Sequence, residues 1–457
     1  MTSITEINNL PEELLEYILS HLSVILELQS AAQVCTLWRK LCLSIFKYKF
    51  QTFHSQSRQG NFVWRKFSKN DQKTPLHFIP RHIKSRTSVN QLNTPSPRIM
   101  HGIAFHGKTI FIYGGETSSR TSFFNDMFGY DVLEQKWQKF LVQGIPPTPR
   151  STFSLTQFED NLIVTGGFIL SRISSIRPID QFYDDIHVYN ISKNLWYKAG
   201  NLERMRSSHS SLCLSNRSDS VRLVLSGGMH QLFEMSDTIE LCHFVVKDDK
   251  YTKQSSHSFV CPHTRREHSI AKIDEYKFLM YGGFTKVGDG SNKFFIRNDA
   301  WLIEFNNTYT DIQFTSVAVN NINAYSGMYP ISISDSIRVK NSLIYFQRYN
   351  YIKGSVDYPD FFEVDNDRKP TGDEMYRQDF YHTFILDLDK VLINNSISWV
   401  PVSRNPLKFA PRNSIFHRTI LAGDSIFLFG GYVLDHRTKQ TKDSNDLYKI
   451  DVFRNVS

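Results

Sequence analysis

The chain of 457 residues is poor in cysteine, with only Cys35, Cys42, Cys213, Cys242 and Cys261. The number is odd, no Cys-x-x-Cys occurs, and none lies near a histidine at zinc spacing. A disulfide framework and a zinc knuckle are therefore not expected, and a reducing compartment, cytoplasm or nucleus, is the simplest setting. There the sequons at Asn190, Asn216, Asn306 and Asn394 would stay unmodified. No run approaches the ~18 apolar residues of a membrane helix. Met1-Thr-Ser-Ile-Thr-Glu6 offers no charged segment followed by an apolar core, so no secretory signal is read there. The formal charge of +8 is modest for this length. Basic residues gather between Arg65 and Arg98, but a solvated surface explains them better than a nucleic-acid partner. No Gly-x-Ser-x-Gly, His-Glu-x-x-His or phosphate-loop motif is present, so no enzyme class is indicated.

What the chain has is a recurring glycine pair at the end of a hydrophobic strand. It reads Phe111-Ile-Tyr-Gly114-Gly115, Leu162-Ile-Val-Thr-Gly166-Gly167, Leu223-Val-Leu-Ser-Gly227-Gly228, Phe278-Leu-Met-Tyr-Gly282-Gly283 and Phe427-Leu-Phe-Gly430-Gly431. The pairs are spaced by 52, 61, 55 and 148 residues, and the last interval suits two repeats. Ser342-Leu-Ile-Tyr-Phe346 fits a degenerate fifth copy without glycines, followed by Asp379–Asp387 and Trp399. The count becomes six. A histidine stands at a near-constant distance before the pair, at His101, His268 and His417, further off at His209, with Phe153 in its place in the second repeat. After each pair comes an acidic–aromatic strand such as Asn125–Asp131 or Asp184–Tyr189, then a tryptophan at Trp137 and Trp196. Four short strands per repeat predict the blades of an antiparallel β-propeller. The glycines are expected where an inner strand crowds the axis. The sixth repeat stops without its tryptophan strand, and a spare one, Asn61-Phe-Val-Trp64-Arg, precedes the first. The N-terminal strand is therefore expected to complete the last blade and close the ring, which removes exposed edges.

The first 50 residues differ. Leu10, Leu14, Leu15, Ile18, Leu19 and Leu22 keep helical spacing, Pro11 suits a first turn, Asn9 could cap it, and Glu12 and Glu13 sit near the positive end of the dipole. A second helix is expected from about Leu26 to Leu43, with Ala31, Val34, Cys35, Trp38, Leu41 and Cys42 on one stripe, and a third from Ile45 to Phe53. Three short helices cannot bury this apolar surface among themselves. Either they dock on the propeller, or a second protein covers the stripe.

Both parts resemble known families. The glycine pair, the Tyr-Asp strand and the later tryptophan, five times in phase, resemble the Kelch repeat over residues 61–457; the departures are the fifth repeat and the missing tryptophans of the third and fourth, where Tyr251 and Phe314 are expected to substitute. Leu10-Pro-x-Glu-Leu14-Leu-x-x-Ile18-Leu-x-x-Leu22, then Ala31-x-x-Val34-Cys35-x-x-Trp38-x-x-Leu41, resembles an F-box. The expected organisation is multi-domain α plus all-β: a three-helix F-box at 5–50, a helical linker at 51–60 and a six-bladed Kelch β-propeller at 61–457. An F-box/Kelch protein is implied to be a non-catalytic substrate receptor of a Skp1–cullin–F-box ubiquitin ligase. The resemblance places Leu10, Pro11, Leu14, Ile18, Val34, Cys35 and Trp38 at or behind the contact with Skp1, and a protein substrate on the propeller. The alternative is a ligase-independent Kelch scaffold that buries the Leu10–Trp38 stripe in its own chain.

The long insertions, 168–182, 284–297, 348–378 and 432–444, join second to third strands and should share one face with the fourth-to-first loops. They form either a binding surface or tolerated insertions. Arg98, Arg150, Arg206 and Arg265 each precede the recurring His or Phe by three residues, with Arg412 slightly further out. They are candidates for holding substrate carboxylates or a phosphate. The competing expectation, the stronger one, is that they belong to the repeat and pair with acids of the next blade. One histidine per blade likewise points to packing rather than metal, and no cofactor is expected. Kelch-type copper oxidases are secreted and carry a Cys–Tyr crosslink, and nothing here points to either.

Overall fold

The computed structural model describes residues 7, 10–22, 27–59, 64–67, 93–171, 179–214, 220–231, 234–286, 294–297, 299–320, 336–339, 342–347, 361–363, 382–401, 414–434 and 441–451. Three helices come first: α1 (Glu12–Ser20), α2 (Leu28–Ala31) and α3 (Thr36–Gln59). Pro11 is the N-cap of α1 rather than part of its first turn, and Asn9 lies outside the described residues. The helices expected at 26–43 and 45–53 are replaced by the short α2 and the 24-residue α3, which also runs through the expected linker at 51–60. The physical reason is plain: residues 36–59 contain no glycine or proline to end the helix.

Six sheets of four or five strands follow, each a blade. Blade 2 shows the pattern: Ser154–Phe158, Asn161–Thr165, Asp185–Asn190 and Leu195–Asn201, antiparallel throughout. Blades 1, 3, 4 and 5 begin at Gly102–His106, Ser210–Cys213, Ser269–Lys272 and Ser336–Val339. Blade 6 consists of Arg418–Ala422, Ser425–Phe429 and Leu447–Asp451, and its fourth strand is Trp64–Phe67, with Trp64 opposite Ile450. The ring is closed by the N-terminal strand. Gln143–Gly144 and Ser396–Ser398 add a parallel fifth strand to the outer edges of blades 2 and 4.

The first strand of each blade lies beside that of the next, in a closed circle from Gly102–His106 through Arg418–Ala422 and back. The innermost strand is therefore the one before the glycine pair, not the glycine strand itself. Both the first and the fourth strands are sheet edges, and nothing in the pattern says which faces the axis. The glycine strand lies second and is the most buried: all five residues of Asn161–Thr165 are buried.

Each seam between blades carries its own apolar cluster. Phe111, Tyr113 and Met127 of blade 1 meet Leu162, Val164 and Trp196 of blade 2. In blades 1 to 5 the outer-strand aromatic reaches back to the preceding blade. Trp196 packs on Tyr113 at 4.9 Å, Trp137 on Phe429 at 5.2 Å and Trp399 on Tyr281 at 4.9 Å between ring centroids. Tyr251 occupies this position in the seam between blades 2 and 3, and Phe314 in that between 3 and 4, so both substitute for the missing tryptophan.

The glycines work at these seams. Gly166 has φ of 58°, and a Cβ there would stand 2.2 Å from the carbonyl oxygen of Arg206 in the next blade. Gly227 repeats this against Arg265, also at 2.2 Å. The close approach makes a backbone bond possible: Gly167 N donates to Arg206 O at 2.8 Å while Arg206 N donates to Tyr183 O at 3.1 Å. The same pair of bonds joins blades 1 to 2, 3 to 4, and 6 to 1, where Gly431 N meets Arg98 O at 3.0 Å.

Candidate functional site

Helix α1 has two working faces. Leu15 and Leu19, four residues apart, are fully buried. With Leu28 and Ala31 of α2 and Leu41, Cys42 and Ile45 of α3 they join one apolar cluster with Ile344 and Ile385 of blade 5 and Ile426, Leu428, Tyr448 and Ile450 of blade 6. The opposite face carries Leu14 at 44%, Tyr17 at 64% and Ile18 at 46% exposure, with Val34 at 46% on the segment between α2 and α3. Pro11 is exposed; Leu10, Cys35 and Trp38 are half-buried, and Trp38 packs against the cluster. The F-box residues thus divide into a buried row on the propeller and an apolar row facing outward. Tyr17 belongs to the outer row and was missed in the sequence, although its spacing from Leu14 would have found it. Lys40 Nζ and Glu12 Oε1, 2.8 Å apart, tie α3 to the start of α1.

The helices sit at one particular end of the ring. Lys49 of α3, which donates to Leu22 O at 3.2 Å, feels the charge of Asp424. Asp424 lies in the turn between the first two strands of blade 6, the end opposite the glycine pairs. Burial lowers the Lys49 pKa, and Asp424 partly offsets this.

The described parts of the loop face are paired strands. The 168–182 insertion is a hairpin, Phe168–Ser171 against Ile179–Phe182. Phe284–Lys286, Phe294–Arg297 and Phe361–Glu363 form a three-stranded sheet spanning the insertions of blades 4 and 5. Tyr432–Leu434 pairs with both Thr441–Asp443 and Ser414–Ile415. Phe168, Phe182, Met229 and Met235 pack together across the loops of blades 2 and 3, and Phe123 of blade 1 meets Phe168 edge-on at 6.0 Å. Blade 1 also leans on blade 6, where Ser118 N donates to both carboxylate oxygens of Asp443.

The arginines lie inside this framework. Arg98, Arg150, Arg206 and Arg265 are at most 1% exposed. Each donates to the carbonyl of the first glycine of its own blade, as Arg150 does to Gly166 O at 3.0 Å. Each also pairs with an acid at or near the start of its own third strand: Asp126, Asp185, Glu240 and Asp299. The acid belongs to the same blade, not the next one. Arg150 stacks over Tyr183 at 3.8 Å and Arg98 over Phe124 at 4.3 Å. These four guanidinium groups are occupied from within the chain, so they serve the repeat and are not presented to a ligand; Arg412 lies outside the described residues. Burial would raise the carboxyl pKa of Asp185, but hydrogen bonds from His187 and Arg150 outweigh it and hold it well below the usual range.

The recurring histidines are buried between inner strands. His209 Nε2 meets Thr165 Oγ1 at 2.8 Å and His268 Nε2 meets Ser226 Oγ at 2.9 Å, each the residue before the preceding blade's glycine pair. His101 meets Phe429 at the same position, edge-on at 5.3 Å. Burial drives all three pKa values well below the ordinary histidine value. Among the described residues no group of three or more His, Cys, Asp or Glu side chains is arranged to hold a metal ion.

The inner strands enclose an axial channel of about 350 Å³, lined by Ser154, Ser208, Ser210, Ser211, Ser269 and Thr419 among others. The residue before each recurring His or Phe is left-handed: Met100, Thr152, Ser208, Glu267 and Phe416, with φ between 51° and 56°. Their amides link round the mouth, Ser208 N to Thr152 O at 2.8 Å and Glu267 N to Ser208 O at 2.9 Å. The five residues, Met, Thr, Ser, Glu and Phe, share no single side-chain type that would mark this collar in the sequence.

Comparison with known proteins agrees with this architecture. Residues 73–313 match the KLHDC2/KLHL20/DRC7 Kelch-repeats domain, more than half the chain, and residues 7–52 match an F-box-like domain. The chain belongs to this Kelch-repeat family and carries an F-box-like domain before it. Kelch domain-containing protein 2 of Bos taurus is 29% identical over 173 residues, covering 36% of this chain and 39% of that protein. Kelch domain-containing protein 3 of Rattus norvegicus is 26% identical over 199 residues, 42% of this chain and 48% of that one. The Rho GTPase-activating protein gacHH of Dictyostelium discoideum is 30% identical over 124 residues, 27% of this chain and 8% of that protein. The chain spans less than half the length of each of these relatives.

Proposed function

We propose that this protein is the substrate-recognition subunit of a Skp1–cullin–F-box ubiquitin ligase. F-box and Kelch domains in one chain fit such a role, and this architecture is typical of non-catalytic adaptors. The observation that carries the reading is the outward apolar row Leu14, Tyr17, Ile18 and Val34 on a helical module otherwise packed on the propeller. An apolar face of this kind, held in place by its opposite side, suits a protein partner. Leu10, Pro11, Leu14, Ile18, Val34, Cys35 and Trp38 form or support the Skp1 contact. The loop face at the far end of the ring receives the protein substrate. Catalysis is left to the partners: this chain supplies effective concentration and orientation, in cytoplasm or nucleus. Within this proposal, we read the F-box-then-Kelch order, Gly60-Asn-Phe-Val-Trp64 and the Phe182–Trp196 segment as resembling F-box only protein 42.

A ligase-independent scaffold is the second reading, favoured by the burial of Leu15, Leu19, Leu41 and Ile45 on the chain's own propeller. The two readings part at the outer row, which a scaffold has no reason to keep apolar. Ubiquitination assays on the full chain with Skp1, cullin and E2 separate them. Leu10→Asp should abolish ubiquitin transfer to captured proteins and leave capture intact; undiminished transfer by this variant would remove Leu10 from the anchor.

A further inference from the structure

Five of the six seams between blades are filled by the strands and connections of the blades themselves. The seam between blades 5 and 6 is different, since it alone among the described residues shares its cluster with the helical module. It is also where the repeat has decayed. By strand register, Ser342–Gln347 corresponds to Asn161–Gly166, so Gln347-Arg348 replaces the glycine pair. His382 stands where blade 2 has Asp185, the acid that holds the blade's arginine. A Cβ at the first glycine position would stand 2.2 Å from the next blade's carbonyl in blades 2 and 3 and 2.8 Å from it in blade 6. Gln347 therefore stands where four other seams, 1–2, 2–3, 3–4 and 6–1, have the first glycine of their backbone latch.

We propose that the helical module is the fastener of this irregular seam, replacing the missing glycine latch with the apolar side chains of Leu15, Leu19, Leu41, Cys42 and Ile45. On blade 5, strand alternation sends Leu343 and Leu386 to blade 4 and leaves Ile344 and Ile385 for blade 6 and the helices. Blade 6 offers Ile426 and Ile450, paired across the sheet, near the end where Lys49 feels the charge of Asp424. One face of the module fastens this seam while the other stays open to solvent. The inference goes beyond the adaptor reading and stands whether or not Skp1 binds.

Hydrogen exchange on the full-length chain tests it. Leu19→Ser together with Ile45→Ser, on the buried row, should speed exchange at least about tenfold in peptides covering 342–347, 382–387 and 425–429. Peptides covering 161–165 and 220–226, in blades 2 and 3, should stay as protected as in wild type. Ile18→Asp, on the outer row, should leave all blades unchanged even where it removes adaptor binding, which keeps the two proposals separate. Seam peptides that remain protected after the helices have loosened, or equal loss in blades 2 and 3, would overturn the proposal.

Discussion

At the residue scale, the repeated arginine is an internal strut. Arg150 holds the Gly166 carbonyl and Asp185 while stacked on Tyr183, with no exposed surface. Removing one partner of a buried pair leaves the other charge uncompensated, so Arg150→Met should cost about 3–5 kcal/mol in urea unfolding. Substrate capture by the molecules that remain folded should be unchanged. Glu116 presents the opposite case. It is buried in the blade 1 loop, and desolvation raises its pKa to about 7, partly offset by Arg120. An acid raised in the folded state costs stability as pH climbs from its unfolded value towards the folded one. Glu116→Gln should therefore stabilise by roughly 1–3 kcal/mol at pH 8 and do little at pH 4. Thermal melts at the two pH values check the sign. Arginine position in phase was legible in the sequence; which acid it met was not, because the partner is fixed by the third-strand register.

At the element scale, α1 separates two roles by a single residue step. Leu15 is fully buried and Leu14 is 44% exposed. Leu15→Ala should destabilise by about 2–5 kcal/mol through lost burial and a cavity. Ile18→Ala should stay within about 0.5 kcal/mol. Chemical denaturation distinguishes the two, and a cost at Ile18 equal to that at Leu15 would contradict the two-faced helix. The amphipathic spacing was readable from Leu10, Leu14, Ile18 and Leu22, but not the side of the stripe the propeller would take. The continuity of α3 was readable too, from its lack of glycine and proline, although separate helices were expected at 26–43 and 45–53. Among strands, the pattern Trp, Trp, Tyr251, Phe314 was legible because each outer aromatic fills the same seam position; the inner-strand assignment was not.

At the scale of the whole molecule, the ring depends on a strand from its N-terminal side and on neutral histidines. His101, His209 and His268 are inaccessible or nearly so and held deprotonated by burial. A base whose pKa is lowered on folding loses stability as pH falls below its unfolded value. Below pH ~6.5 the three together should cost up to about 4 kcal/mol per pH unit, so the propeller melts steeply in acid. His209→Gln should reduce that slope by roughly a third.

The central claim is that the outward row of α1 is a docking face for Skp1. The most direct measurement mixes the purified full-length chain with Skp1–cullin and follows gel filtration, wild type beside Ile18→Asp. The account predicts a stoichiometric complex for wild type and a folded, unbound monomer for the variant. A folded wild-type chain that elutes alone, or a variant that binds as well as wild type, would contradict it.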